Sequence, residues 1–210
     1  LEKALILKQR ASKQDFPEDN INAISFSEEI IKHGFNSYLK NNAQNIITDI
    51  TKKQLSVQVN PYQSPQKNFP IFISYTNLDS LQFQIYKLNK SGFSFLDNQN
   101  FYAEEQKIKL KKILKKLDSE TKEFSNWIKL PNKSQHFKRT TEAIAPKLEI
   151  GKYVILLKDK SLDDLYALKT IQVSELSLIS NQDENIDLKV VNRETGEPIA
   201  NANIKATFSS

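Results

Sequence analysis

The side chains that could carry chemistry in this sequence are few and scattered. Two histidines, His33 and His136, stand far apart and neither belongs to a recognisable ligand set, so no metal site is expected. Cysteine is absent, which removes thiolate ligands, disulfides and a cysteine nucleophile together. Ser161 beside Asp163 and Asp164 reads as a polar turn. No glycine-rich phosphate loop, nucleophile elbow or spaced pair of carboxylates is present. The expected sets are therefore empty: no catalytic residues, no cofactor-binding residues, no metal ligands and no cofactor. The chain is read as not an enzyme.

A formal charge of +5 points toward anionic partners, yet only Arg10, Arg139 and Arg193 are arginines and all other basic residues are lysines. Readers of phosphates and bases lean on arginine forks, and no basic-aromatic module occurs, so nucleic acid is not an expected partner. The longest purely apolar run, Tyr153 to Leu157, is far shorter than the roughly 20 residues of a membrane-spanning helix, and no transmembrane segment is expected. Lysines at 107, 109, 111, 112, 115 and 116 surround a stripe of Leu110, Ile113, Leu114 and Leu117, with Glu104 and Glu105 ahead of it. Such a helix could lie on an anionic membrane surface. The preferred reading is an inserted helix, about 101–118, that packs its stripe on a sheet and turns its lysines to water.

The elements around these residues change character near position 54. Up to there, apolar residues recur at three- and four-residue spacing, which predicts helices. Leu1, Ala4, Leu5 and the stem of Lys8 form one stripe; Ile21, Ile24, Ile31 and Phe35 form a second. Gly34 is placed to stop the second helix, and Asn36-Ser37 can cap a third, striped by Leu39, Ala43, Ile46, Ile47 and Ile50. Residues 1–53 are thus expected to be a helical hairpin or solenoid-like repeat.

From Gln54 the period is two. Leu55, Val57 and Val59 alternate with polar residues; Phe69, Ile71, Ile73 and Tyr75 share one face of a second strand, and Leu81, Phe83 and Ile85 one face of a third. The short polar connection Asn77 to Ser80 predicts that the last two pair as a hairpin. A strand from Phe124 to Leu130 places Trp127 in the core or at a sheet edge. Pro146 to Leu157 reads as a strand entered through a turn at Gly151, where Tyr153 can bury its ring and return its hydroxyl to nearby backbone, as in a tyrosine corner. After strands at Leu168–Val173 and through Leu176, Leu178, Leu188 and Val190, a turn at Thr195-Gly196 predicts a return strand of Ala202, Ile204, Ala206 and Phe208. Because the chain begins at Leu1, lacks Met and stops at Phe208-Ser-Ser, it is read as part of a longer one.

These motifs resemble a known family. Val190-Val-Asn-Arg-Glu-Thr-Gly-Glu-Pro-Ile-Ala-Asn-Ala-Asn-Ile204 is similar to the hairpin that opens many macroglobulin domains, although Asn201 stands where the family often has Gly. The order of motifs from residue 22 to 210 resembles the N-terminal part of bacterial alpha-2-macroglobulin-like proteins of Bacteroidetes type. The resemblance implies an α+β chain: a helical segment over 1–53, a fibronectin-III-like macroglobulin sandwich with its inserted helix over 54–175, and the start of a second, incomplete sandwich over 176–210. It also implies a cell-envelope location, periplasmic or outer-membrane associated. The implied role is as non-catalytic scaffold in a protein that traps proteases, with downstream macroglobulin domains and target proteases as partners. The alternative is a surface adhesin or outer-membrane accessory module that binds a protein or glycan.

Overall fold

The structure, a computed structural model, describes residues 1–11, 16, 18–34, 36–88, 114–117, 120–131, 136–159, 165–181 and 187–205. Three helices come first: α1 (Glu2–Ala11), α2 (Asp19–Lys32) and α3 (Ser37–Thr51). They meet on a small core of Ala4, Ala23, Ile46 and Ile50, with Leu1, Leu7, Ile24 and Phe26 around it. Small alanines on both α1 and α2 let two helices approach closely, and that approach sets their rotation. Leu5 and Ile21, expected in the apolar stripes, consequently face solvent, while Leu7 and Ala23 take inward places. Gly34, at φ +78°, follows the end of α2, and the Asn36 side chain accepts a hydrogen bond from Leu39 N at 3.0 Å to cap α3. Phe35 lies outside the described residues.

Extended structure begins at Gln54, where the alternation starts. One antiparallel sheet holds β1 (Gln54–Gln58), β3 (Phe69–Thr76) and β6 (Arg139–Ala145) in the order β1-β3-β6. The other holds β2 (Tyr62–Gln63), β8 (Tyr166–Val173), β7 (Gly151–Asp159), β4 (Ser80–Lys87) and β5 (Thr121–Lys129), in that order. Within it, only the short β2 runs parallel to its neighbour. Phe69, Ile71, Ile73 and Tyr75 all point inward, as a period of two requires, and share one core with Leu81, Phe83 and Ile85 of β4 and Tyr153, Ile155 and Leu157 of β7. Two sheets sharing an apolar layer make a β-sandwich.

The predicted hairpin of β3 and β4 does not form, because the two strands belong to different sheets. Asn77 takes φ +58° and redirects the chain, and Leu78 is buried in the common core. A tight hairpin would leave Leu78 in water, whereas burying it is worth roughly 1.5–3 kcal/mol. β6 is a strand that alternation alone does not announce, since its inward positions carry Thr141, Ala143 and Ala145 rather than large apolar groups.

The outer face of the second sheet is also covered. Tyr86, Val154 and Leu156 pack with Leu117 and Leu114 of a helical turn at 114–117, so β4 and β7 are buried on both faces. Over these four residues the lysine-rich segment packs its leucines on the sheet and exposes Lys115 and Lys116. The rest of the expected insertion, including Glu104, Glu105, Leu110 and Ile113, lies outside the described residues. Trp127 is half exposed on β5, an edge strand, which selects the sheet-edge reading over the core.

A separate antiparallel ribbon follows, β9 (Leu176–Asn181) with β10 (Asp187–Asn192). The return strand expected from Ala202 is not found among the described residues. After the turn the chain makes one bridge, Val191 with Pro198, and two backbone bonds, Asn192 N to Glu197 O at 2.8 Å and Ile199 N to Val190 O at 2.9 Å. Pro198 has no N–H to offer a ladder, and Asn201, at φ +58°, bends the chain away. Ala206 and Phe208 are outside the described residues. Among the described residues, no helix is long and apolar enough to cross a membrane.

Candidate functional site

Three places where described side chains bond to backbone or to one another are a corner and two seams between structural units. At the corner, the Tyr153 ring is buried and its hydroxyl donates to Glu149 O at 2.9 Å, the return to backbone that the sequence predicts. Gly151 makes room for this. A Cβ there would sit 3.3 Å from the ring and 3.4 Å from the Lys87 stem, tighter than side chains ordinarily pack. Burial raises the Tyr153 phenol above its usual value, with the nearby Lys87 ammonium opposing.

The first seam joins helices to sandwich. Asn77 Nδ2 donates to Ile50 O at 2.9 Å and to Lys52 O at 3.0 Å, satisfying carbonyls at the end of α3. With its nitrogen so committed, Asn77 turns Oδ1 to His136 Nδ1, 2.9 Å away, which makes that ring nitrogen the donor. Asn20 of α2 donates to His136 O at 3.1 Å, and Lys53 reaches the buried Asp159 of β7 at 3.1 Å. Burial lowers the His136 pKa, so the neutral ring is favoured here.

The second seam joins sandwich to ribbon. Only Ser174 and Glu175 separate β8 from β9. Arg193 Nε donates to Ser174 O at 3.0 Å and Nη2 to Leu176 O at 2.5 Å, while its guanidinium lies 5.4 Å from the centre of the Tyr62 ring. Its backbone N donates to Glu175 O at 2.6 Å, and Ser174 N donates to Gln63 O at 3.0 Å. Asn192 Oδ1 accepts from Glu194 N at 2.9 Å and Thr195 N at 3.0 Å, which shapes the turn, and Gly196 takes φ +73° to close it. Lys67 pairs with Glu194 across the same seam.

Of the residues weighed in the sequence, His136 is a seam residue and His33 is the C-cap of α2. Ser161, Asp163 and Asp164 lie outside the described residues. Among the described residues, no three His, Asp or Glu side chains are grouped to hold a metal ion. Asn77 and Arg193 are the residues the sequence does not single out. The signal for Arg193 was its rarity: in a lysine-dominated chain, Arg10 forks onto Asp19 and Arg193 onto backbone, which are tasks for a planar fork.

Neither a protein family nor a curated protein matches the sequence. Among solved structures, the chain is similar to the crystal structure of a CARDB domain from Pyrococcus furiosus, in complex with di-metal ions. That likeness has a TM-score of 0.30 and 8% identity, over 59% of this chain and 88% of that one. A solution structure of the same domain gives a TM-score of 0.28 and 7% identity, over 58% of this chain and 93% of that one.

Proposed function

We propose that this chain is a non-catalytic scaffold segment of an alpha-2-macroglobulin-like protein of the bacterial cell envelope, contributing to protease trapping. Residues 1–53 are its solenoid-like helical lead-in, 54–175 a fibronectin-III-like macroglobulin sandwich, and 176–210 the opening of a second. The observation that carries the reading is a sandwich with a tyrosine corner passing, through two residues only, into a ribbon that ends in the Asn192-Arg-Glu-Thr-Gly-Glu-Pro198 turn. That ribbon leaves Leu176, Leu178, Ile179 and Leu188 exposed. A two-stranded ribbon is marginal alone, and further strands of a second sandwich would cover these side chains.

The test is proteinase capture by the intact protein. A trapped proteinase is expected to lose activity on large protein substrates and to keep it on small peptides. Equal loss on both, or no loss on either, counts against the proposal. A mutation-sensitive turnover of any substrate by residues 54–175 would count against the non-catalytic assignment separately.

A further inference from the structure

We infer that Arg193 sets the angle between sandwich and ribbon, making the Ser174-Glu175 connection a stiff elbow rather than a hinge. The inference stands on the seam's geometry and does not depend on the family reading. The guanidinium holds the carbonyls of Ser174 and Leu176, on either side of Glu175, so the peptide units between them cannot rotate without breaking a charge-assisted bond. The sandwich side of the grip is fixed as well: Tyr62 of β2 presents its ring to the cation, and Ser174 N is bonded to Gln63 O of the same strand. The ribbon side is fixed by the Asn192 side chain, whose bonds to Glu194 N and Thr195 N hold the turn from which Arg193 projects. Arginine is required because an ammonium cannot span two carbonyls in one rigid plane. The Lys67–Glu194 pair adds to the seam, but both partners are more than half exposed and their contribution is small.

The absence of cysteine makes a direct test possible. Spin labels at Glu142→Cys on β6 and Ser180→Cys on β9, both exposed positions, report the distance between sandwich and ribbon. With Arg193 in place, one narrow distance distribution is expected. Arg193→Ala is expected to broaden it, Arg193→Lys to broaden it nearly as much, and Glu194→Gln to leave it narrow. Amide exchange separates a loosened elbow from a melted ribbon. The amide at position 193, bonded to Glu175 O, should exchange about tenfold faster in Arg193→Lys, as loss of a charge-assisted bond predicts. The amides of Gly196 and Ile199, bonded within the ribbon to Asn192 O and Val190 O, should keep their protection. A broad distribution with Arg193 present, an equally narrow one in Arg193→Lys, or joint loss of protection at Gly196 and Ile199 overturns the inference.

Discussion

Set beside the sandwich, the helical bundle has little apolar core: two alanines and two isoleucines are buried together there, whereas the sandwich encloses a continuous layer from Val57 to Val173. The bundle adds charge to that small core. Arg10 forks onto the buried Asp19 and lies 4.2 Å from the centre of the Phe16 ring, and Lys8 meets Asp49 at 2.6 Å. In the sandwich, away from the seam where the buried Asp159 meets Lys53, buried tyrosines donate to backbone: Tyr153 to Glu149 O, and Tyr75 to Pro131 O at 3.0 Å. The difference teaches that neighbouring units of one chain can be vulnerable to different stresses, the bundle to loss of charge and the sandwich to loss of volume.

Truncation in the cores tests this most severely. Ile155→Ala removes a side chain enclosed between the sheets and is expected to cost about 2–5 kcal/mol of unfolding free energy in urea. Ile46→Ala in the bundle should fall toward the lower end, because a thin core can collapse around the gap. Equal losses would break the contrast. Next in size is Tyr153→Phe, which keeps the ring and deletes only its bond to Glu149 O, for an expected loss of about 1 kcal/mol. No loss in the same urea experiment would mean that the corner works by packing alone.

Much of this architecture was legible because alternation reports burial directly. Gln54 as the onset of strand, the inward face Phe69-Ile71-Ile73-Tyr75 and the Tyr153 corner all follow from short-range spacing, in which residues two apart share a face. Pairing was less legible. The link between β3 and β4 has hairpin length, and only the burial of Leu78 reveals that it crosses between sheets. Helix rotation failed for a similar reason: Leu5 and Leu7 are equally apolar, and alanine contacts elsewhere decide which faces inward. The seams were least legible, since Asn77 and Arg193 act on carbonyls of other segments, and carbonyls leave no mark in composition.

Titration sharpens the comparison without any mutation. The hydrogen bond from Arg10 holds the Asp19 carboxyl below its usual 3.8, and Lys8 does the same for Asp49. The ionised forms are thus favoured in the fold; their stabilisation is present above the usual value and is lost as pH falls through the lowered ones. Tyr75 and Tyr153 are raised above their usual 10.0 by burial, so their contribution is complete below that value and fades as pH rises through the raised ones. His136, lowered from 6.5 by burial, adds stability to the seam above 6.5, and this is lost as pH falls through its own lowered value. Acidification is therefore expected to loosen first the helix-sandwich seam and then the bundle, while alkali attacks the sandwich. Amide signals of Ala23 and Ile155, followed in separate acid and alkaline titrations, read the two units independently. Simultaneous loss of both at either extreme would show that they unfold as one.

The smallest effect decides which charge matters in the bundle. Asp19 is buried, but the Lys8–Asp49 pair is exposed, with Asp49 61% open to solvent on its side chain. Water screens such a pair and two flexible side chains lose freedom to make it, so Lys8→Gln should cost at most about 0.5 kcal/mol and still less in high salt. A double-mutant cycle with Asp49→Asn isolates the coupling. A value above about 1 kcal/mol would exceed what exposed pairs supply and would extend the bundle's dependence on charge from the buried Asp19 to its surface.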